Sequence, residues 1–362
     1  MSICRISVSS NEAIMTNQAT YRAAVVKAPG QLELVERPIP APAQGQVRIR
    51  VEACGVCHSD SATVEREAPD GAPPRVPGHE VVGRIDALGE GVSGWRLGER
   101  VGVGFLAGED RTCPSCRHGD VVNCQNPVIT GMTTDGGYAE IMLAEARGLV
   151  RVPDDLDAAE AAPLLCAGLT TFNALRNAGA RAGDVVAIHG LGGLGHLAVQ
   201  FANKMGFHTV VIARGADKAA LAAQLGAHRY IDGRTEDVAA ALRALGGAKV
   251  VLGTAPTGSA MADTVAGLSA RGKLIVVAVP GEPIAVNAVD LVFGGRSVVG
   301  ALTGTVTDNE ETLAFARLQN VRPMIETFPL EQAQAAYDRM MRADVRFRAV
   351  LTMNYASNGA SA

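Results

Sequence analysis

Aromatic residues are scarce in this chain, and so is any excess of positive charge. Phe, Tyr and Trp together make up 4% of the 362 residues, and the formal net charge is −4. Proteins that bind single-stranded nucleic acid stack bases on aromatic side chains, and any nucleic-acid surface needs Lys and Arg to neutralise phosphates. The composition therefore predicts no nucleic-acid partner.

Long apolar runs are missing as well. No stretch approaches the roughly 20 apolar residues that a helix needs to cross a bilayer, so no membrane span is predicted. The stretch from Met1 to Ala19 is polar and lacks the hydrophobic segment of a secretory signal, and we interpret it as a loosely ordered extension. The seven cysteines are an odd number in a large chain. Metal-binding thiolates are therefore favoured over a disulfide framework, and the cytoplasm is the expected compartment.

Two hydrophobic patterns divide the chain. The first half contains short alternating runs bounded by Gly and Pro, such as "GQVRIRVEACGV", which are typical of antiparallel strands in a barrel-like domain. From about Asp157, apolar strands alternate with helical segments, as in "GDVVAIHG", "LGHLAVQFANKMG" and "HTVVIAR", which predicts βαβ units and a parallel sheet. In this series "MADTVAGLSA" is predicted to be a helix, and the tail "YDRMMRADVRFRAVLTM" is predicted to return to the first half.

A glycine motif lies directly after one of these strands. Gly190, Gly192 and Gly195 have the G-x-G-x-x-G spacing, at the start of a predicted helix. In that context the glycines permit a tight turn and the close approach of a pyrophosphate, while the helix N-terminus offers free N–H groups. The motif predicts a dinucleotide site; the alternative is a glycine-rich turn without a ligand.

The next strand ends without the carboxylate that would bind a ribose 2′-hydroxyl. Ala213 stands at that place and Arg214 follows it. A small neutral residue removes the repulsion of a 2′-phosphate and the arginine supplies a partner for it, so NADP is predicted over NAD. The alternative is an Arg214 that only stacks on adenine.

Three cysteines lie close together at Cys113, Cys116 and Cys124. They supply three ligands of one tetrahedral zinc, and Asp110, three residues before the first, is the candidate for the fourth. A hard carboxylate oxygen in place of a soft thiolate should weaken such a site. The role predicted is structural, because a closed site leaves no position for substrate. His118 as the fourth ligand and unliganded thiols are the alternatives.

A second set of ligand-type residues is dispersed. It consists of Cys57 in "CGVCHSD", His79 in "GHE" and Cys166 in "LLCAG". Each residue by itself is weak evidence for a metal site, since a lone buried Cys or His is usually part of the core. Together they are two thiolates and one imidazole, the ligands of a catalytic zinc whose fourth position stays open.

At these motifs the chain resembles the zinc-containing medium-chain alcohol dehydrogenases, closest to the microbial and cinnamyl-alcohol-dehydrogenase-like branch. The resemblance runs from about Tyr21 to Met353 and includes "GHEVVGRIDALGEGV", "LLCAGLTTFNAL" and "GLGGLG" in the family's order. It implies an α/β architecture with two domains. A GroES-like β-barrel catalytic domain (residues 1–167 and 303–362, with a zinc lobe at about 105–127) is joined to a doubly wound Rossmann dinucleotide-binding domain (168–302).

The resemblance also implies roles for single residues. Beside the zinc ligands Cys57, His79 and Cys166, the matched residues are Ser59 and His58 (the relay for the alcohol proton), Glu80 (a carboxylate that can approach the metal), Asp60 (a carboxylate that orients the ligand histidine) and Arg348 (a tail arginine at the pyrophosphate). The remaining expected cofactor contacts are Gly193, Leu194, Thr170 and Lys218. Metal-bound histidines normally need a partner such as Asp60.

Departures from the family pattern bear on the substrate. Val64 and Phe105 stand where yeast-like ethanol enzymes narrow the pocket with tryptophan, and Asp110 stands where the family has the first lobe cysteine. The implied substrates are longer or aromatic primary alcohols and aldehydes.

Three other functions stay open at this point. They are a polyol or sugar dehydrogenase of the same superfamily, a zinc-free quinone or enone reductase, and a non-catalytic dinucleotide-binding sensor or structural protein. The three zinc-ligand residues argue against the first two, and a proton relay argues against the third. A homo-oligomer is expected because "SVVGALTG" reads as an edge strand that can pair with its symmetry mate, and the resemblance favours a tetramer.

Overall fold

The structure is a computed structural model that describes residues 19–67 and 71–355. Apart from Ala19, the predicted N-terminal extension lies outside the described residues. Within the described part, no helix is both long enough and apolar enough to cross a membrane.

Antiparallel strands form the first half, as the alternating runs predict. They are β1 (Thr20–Ala28), β2 (Gln31–Pro38), β3 (Gln46–Val56), β4 (Glu80–Leu88), β5 (Arg100–Val103), β6 (Leu106–Gly108), β7 (Val128–Ile129), β8 (Ile141–Glu145) and β9 (Leu149–Arg151), with the short helices α1 (Ser61–Val64) and α2 (Pro114–Arg117). The long strand β3 pairs with β4 on one side and with β8 along its first half. Valines and isoleucines on the inward face of this sheet form a core that also receives the β1–β2 hairpin.

A parallel sheet forms the second half. Its elements are α3 (Ala158–Pro163), α4 (Leu169–Arg176), β10 (Val185–His189), α5 (Gly195–Lys204), β11 (His208–Ala213), α6 (Ala219–Gln224), β12 (Arg229–Asp232), α7 (Val238–Ala244), β13 (Ala248–Gly253), α8 (Gly258–Asp263), β14 (Leu268–Val276), α9 (Ala288–Val292) and β15 (Ser297–Gly300). The strand order β12-β11-β10-β13-β14-β15 is that of a doubly wound sheet, in which strands run near-continuously apolar because both faces are covered. The predicted α/β fold, with an antiparallel barrel-like part and a doubly wound parallel sheet, is confirmed.

One predicted helix is shorter than expected. The segment "MADTVAGLSA" is helical only to Asp263, continues as a 3₁₀ turn at Val265–Gly267, and enters β14 at Leu268. Leu268 pairs with Ala248 of β13 and is buried, so burial in the sheet overrides the local helical pattern.

The tail returns to the first sheet. After α10 (Val306–Gln319) come β16 (Ile325–Pro329), α11 (Ala333–Met341) and β17 (Arg348–Thr352). Strand β17 pairs antiparallel with β3 and parallel with β16, which brings Arg348 to the end of β3, beside Val56 and Cys57. The domain limits at 167 and 303 stay a proposal.

Candidate active site and cofactor cradle

Cys57 lies where β3 gives way to a single 3₁₀ turn, His58–Asp60. The Asp60 side chain closes this turn, because its Oδ2 accepts the Cys57 N–H at 2.9 Å. Cys57 and Asp60 are buried, whereas His58 and Ser59 are exposed. The turn therefore holds a buried thiol and presents the two expected relay residues outward.

Asp60 also orients His79. Its Oδ1 lies 2.8 Å from His79 Nδ1, and its Oδ2 accepts a second hydrogen bond, at 2.8 Å, from the hydroxyl of Tyr138. Gly78 has φ of +99°, and a Cβ there would collide with the Tyr138 ring. Glycine is needed at 78 for both reasons. Sequence reasoning missed Tyr138, whose only local signal is the "GGY" turn.

Cys166 is presented by a π-helical turn, Leu164–Gly168, between α3 and α4. The wider turn leaves Cys166 partly exposed while its neighbours on both sides are buried. The side-chain amide of Asn309, on α10, donates to the Leu165 carbonyl at 3.2 Å. Sequence reasoning also missed this support, because it comes from a helix 144 residues further along the chain.

These elements bring Cys57, His79, Glu80 and Cys166 together, with one potential ligand atom of each within 4.8 Å of the others. The two sulfur atoms are 3.9 Å apart. His79 Nε2 is buried without a hydrogen-bond partner among the described residues. A buried polar atom without a partner is costly unless something else binds it. Two thiols and a free imidazole nitrogen around one point fit zinc.

The charges around His79 make its imidazole a better metal ligand. Burial is the largest single influence and acts to lower the pKa of His79, but the Asp60 carboxylate and the Cys57 sulfur together outweigh it and raise that pKa well above its usual value. An imidazole with a carboxylate on its far nitrogen is a better metal ligand than an isolated one. Phe105 meets the His79 ring edge to face, with the centroids 5.1 Å apart, and is partly exposed. Val64, by contrast, is fully buried in the core of the first sheet.

Glu80, a member of this cluster, forms a buried ion pair with Arg348 of β17. Burial raises the pKa of Glu80 to about 7, while the guanidinium of Arg348 acts in the opposite direction. Arg348 Nη1 also lies 2.9 Å from the place that a Cβ of Gly193 would occupy. One guanidinium thus contacts both the ligand-type cluster and the glycine loop.

The glycine loop has the shape that its motif predicts. Gly190 has φ of +107°, and a Cβ on Gly195 would collide with the Gly190 carbonyl, so both positions need glycine. A Cβ at Gly192 would meet nothing within 4 Å among the described residues. Leu194 is the N-cap of α5, a helix of 10 residues whose first N–H groups follow this gap. The open cradle at a helix N-terminus fits a pyrophosphate.

The end of β11 carries the residues expected at the ribose. Ala213 is buried at the last position of the strand, Arg214 after it is exposed, and Lys218 ends the next turn. A third basic residue, missed in the sequence, is Arg234, whose Nη1 lies 3.6 Å from the Cβ position of Gly215.

Carboxylates also lie at this strand end. Asp232 accepts the N–H groups of Gly215 and Arg234, at 2.9 and 3.0 Å, and these bonds lower the pKa of Asp232. The Asp217 carboxylate lies over Gly215. Thr170, another expected cofactor contact, is buried, and its hydroxyl lies 3.4 Å from the Leu302 carbonyl.

The second ligand-type cluster forms in the loop after β6. Asp110, Cys113, Cys116 and Cys124 each place a ligand atom within 4.8 Å of the others. Cys124 Sγ accepts the backbone N–H of Asp110 at 3.4 Å, the kind of bond that stabilises a thiolate. Asp110 is held by its own loop, and the Asn126 amide, which is the leading cause, lowers the Asp110 pKa. His118 is outside this group, and its Nδ1 contacts the Pro114 carbonyl at 2.7 Å.

Comparisons with known proteins match both halves of the chain. Two family models match, the alcohol dehydrogenase GroES-like domain over residues 43–154 and the zinc-binding dehydrogenase over residues 193–319. The chain is 43% identical over 341 residues to the alcohol dehydrogenase notN of Aspergillus sp. (strain MF297-2), which covers 94% of this chain and 100% of the relative.

Solved structures of alcohol dehydrogenases also superpose on most of this chain. A cinnamyl alcohol dehydrogenase from Sorghum bicolor superposes with a TM-score of 0.81 and 32% identity, over 92% of this chain and 96% of that one. The CAD from Helicobacter pylori, complexed with NADP(H), superposes with a TM-score of 0.79 and 26% identity, over 92% and 97%. Both superpositions extend over 92% of this chain.

Proposed function

Because the chain belongs to the zinc-containing medium-chain alcohol dehydrogenases and is an alcohol/aldehyde oxidoreductase, we propose that Cys57, His79 and Cys166 hold the zinc at which its substrate reacts. The observation that carries this assignment is the buried His79 Nε2, which has no partner among the described residues and lies with two thiols. Metal analysis of the Cys57→Ser and His79→Ala variants tests it. Each should lose one zinc per chain and all turnover while keeping the wild-type circular dichroism spectrum; an active variant would overturn the assignment.

The chain's own residues supply orientation and proton transfer. When bound, zinc contributes Lewis acidity that lowers the pKa of an alcohol hydroxyl, and the nicotinamide takes up or donates the hydride. Asp60 holds His79 in one orientation and one tautomer, with Nε2 free. Ser59, exposed on the turn after Cys57, accepts the alcohol proton and passes it to His58 or to the cofactor ribose.

Arg348 lies between the proposed zinc site, where it pairs with Glu80, and the cofactor cradle at the glycine loop. We assign Arg348 to the cofactor pyrophosphate because its guanidinium lies over Gly193, beside the open cradle at Gly192. The same guanidinium neutralises Glu80, which would otherwise be a buried negative charge next to the ligand cluster.

For the cofactor we propose NADP over NAD. Arg214 directly follows β11, Lys218 ends the next turn, and Arg234 Nη1 lies 3.6 Å from the Cβ position of Gly215, whereas Ala213 supplies no carboxylate. The test is kcat/KM for benzaldehyde reduction with NADPH and with NADH. Wild type should prefer NADPH, and Ala213→Asp should reverse that preference by repelling the 2′-phosphate. A wild-type preference for NADH would refute the proposal and leave the zinc site untouched.

For the substrate we propose longer or aromatic primary alcohols and their aldehydes. Phe105 is the supporting residue, since it lies against His79 and is partly exposed, whereas Val64 is buried in the core. Phe105→Trp should raise KM for benzaldehyde more than for acetaldehyde. Equal effects on both would show that Phe105 does not limit the substrate.

A second zinc is proposed for Asp110, Cys113, Cys116 and Cys124, in a structural role. The thiolate-stabilising N–H···S bonds around Cys113 and Cys124 support it. Two zinc ions per wild-type chain and one in Cys113→Ser would agree with it.

We further propose that the protein is a homo-oligomer, with a tetramer favoured. Apolar side chains next to the edge strand β15 are exposed: Phe293 at 84%, Val292 at 74% and Leu302 at 53%. An edge strand with unpaired backbone groups and an apolar border can pair with a second copy. Light scattering on Val299→Lys, which should give a smaller species than wild type, tests this. The cytoplasm is the proposed compartment, because cysteines kept as free thiols or metal ligands suit a reducing environment.

A further inference from the structure

His196 is a fully buried histidine that the mechanism above does not use. It lies in the first turn of α5, directly after the glycine loop. Both ring nitrogens are hydrogen-bonded, with Nδ1 3.1 Å from the Gly192 carbonyl and Nε2 accepting the Met324 N–H at 3.1 Å. Since Nε2 accepts, the neutral ring carries its proton on Nδ1 and donates it to Gly192.

Gln200 repeats this contact one helical turn later. Its side-chain amide donates to the Arg322 carbonyl at 2.9 Å and its Oε1 accepts the Arg322 N–H at 3.2 Å. Residues four apart lie on the same face of a helix. We call His196 and Gln200 the α5 clamp; together they hold the backbone of residues 322–324, which connects α10 to β16.

The clamped segment in turn holds Arg348. The Met324 carbonyl accepts the N–H groups of both Phe347 and Arg348, at 2.9 and 3.0 Å. The Phe347 ring stacks on the His196 ring, with the centroids 4.9 Å apart. An unbroken series of contacts therefore runs from the Gly192 carbonyl through His196 and Met324 to the arginine that lies over Gly193.

We propose that His196 is a positioning residue that fixes Arg348 over the glycine loop, so that the pyrophosphate meets a preorganised guanidinium. The proposal rests on the assignment of Arg348 to the pyrophosphate. The essential contact is the Met324 N–H···Nε2 bond, because it joins α5 to the residue whose carbonyl holds the backbone of Arg348. The bond to Gly192 lies within the loop and the first turn of α5.

Neutral histidine suits this position for a physical reason. Its two nitrogens satisfy one backbone donor and one backbone acceptor in a place closed to water, where any unsatisfied polar group is costly. The charged group that faces it is Arg348, and burial together with that guanidinium lowers the pKa of His196.

Two conservative substitutions separate the two bonds. The Oε1 atom of His196→Gln can reach the place of Nε2 and keep the Met324 bond, whereas the amide of His196→Asn can reach only the place of Nδ1 and keep the Gly192 bond. His196→Phe removes both while keeping a ring on Phe347. We expect the dissociation constant of NADPH, titrated by its fluorescence, to rise about tenfold in His196→Phe and His196→Asn, which is about 1.4 kcal/mol. His196→Gln should stay within about threefold of wild type, since it keeps the bond that positions Arg348.

A second ligand distinguishes positioning from general damage. Adenosine 2′-monophosphate contains the adenosine end of NADP but no pyrophosphate, so its dissociation constant should change less than about twofold in every His196 variant. The matched control is His228→Phe. His228 Nδ1 also accepts a backbone N–H, from Thr209 at 3.0 Å, but it lies before β12 at the opposite end of the sheet from the loop. Loss of this hydrogen bond in His228→Phe should lower the melting temperature and leave NADPH binding unchanged.

Several results would overturn the proposal. They are an unchanged NADPH affinity in His196→Phe, an equal loss for NADPH and the adenosine fragment, and a His196→Asn that binds better than His196→Gln. If His196→Phe does not fold, the Gln and Asn variants carry the comparison alone. If wild type binds NADH more tightly, the NADP proposal fails separately, and the same comparison is made with NADH and adenosine.

Discussion

Tyr138→Phe removes one hydroxyl from the interior of the molecule and tests how the histidine ligand is held. The hydroxyl donates to Asp60 Oδ2 at 2.8 Å, and the other oxygen of the same carboxylate holds His79. The Tyr138 ring is fully buried against Gly78, so phenylalanine keeps the packing. The change therefore isolates one hydrogen bond to the carboxylate behind the proposed zinc ligand.

The expected magnitude follows from what Asp60 retains. A hydrogen bond to a charged acceptor contributes roughly 1.5–3 kcal/mol, and Asp60 keeps the Cys57 N–H at 2.9 Å, so the lower end applies. A loss of about 1.4 kcal/mol corresponds to a factor of about ten. Mutation of such outer partners typically weakens metal binding by about 10- to 100-fold. We expect zinc to leave the site of Cys57, His79 and Cys166 about tenfold faster.

The assay is release of zinc to an excess of chelator, followed with a metal-sensitive dye and, in parallel, by loss of activity. The phase that coincides with activity loss belongs to the catalytic zinc, and the other phase serves as an internal control. Tyr337→Phe is the matched variant, because Tyr337 is also buried and donates to a carboxylate, Glu65, at 2.7 Å. It should change thermal stability but not zinc release. The reasoning is refuted if Tyr138→Phe releases the catalytic zinc at the wild-type rate, or if Tyr337→Phe accelerates it equally.

Three further predictions concern other parts of the molecule. Cys57→Ser removes a proposed zinc ligand and should lower kcat/KM by more than about 100-fold, the upper end of the loss seen when only a hydrogen-bond partner of a ligand is mutated. Cofactor affinity, measured by fluorescence, should not change, and retained activity would contradict the prediction. Asp110→Cys should slow zinc release from the lobe, since a thiolate is a softer ligand, and a faster release would show that the carboxylate is preferred. Burial lowers the pKa of His196 to about 4, below an unfolded value of about 6.5, so its contribution to stability is complete above pH 6.5 and is lost as pH falls toward 4. Urea unfolding should show this loss as about 2 kcal/mol more between pH 8 and pH 5 in wild type than in His196→Phe, and equal losses would exclude His196 as the group responsible.

Features that depend on local spacing could be predicted from the sequence. The glycines at 190, 192 and 195 identify the dinucleotide loop because their backbone conformations and close approaches are requirements of one turn. The alternation of strands and helices indicates the parallel sheet, because each period is set by the geometry of its own element. The exception, the end of α8, is a place where pairing with the sheet overrides the local pattern.

Features that depend on contacts between distant segments could not be predicted from the sequence. Cys57, His79 and Cys166 are too far apart in the chain for spacing to relate them, so their assignment as ligands rests on residue type and on the resemblance to a family. Asn309 carries no local motif and Tyr138 only the "GGY" turn. Their roles arise because Tyr138 packs onto Gly78 and Asn309 supports the π-helical turn at Cys166.

For His196, the sequence predicts one part of its role and only the fold decides the other. Its place after the glycine motif is evident in the sequence, where nothing relates it to Met324, 128 residues later. The sequence by itself determined which groups are available: thiols, an imidazole, a glycine loop and a tail arginine. Only the tertiary structure decided which of them share a carboxylate, a buried charge or a backbone hydrogen bond. Such contacts form where water is excluded, and that exclusion is a property of the packed chain, not of any segment.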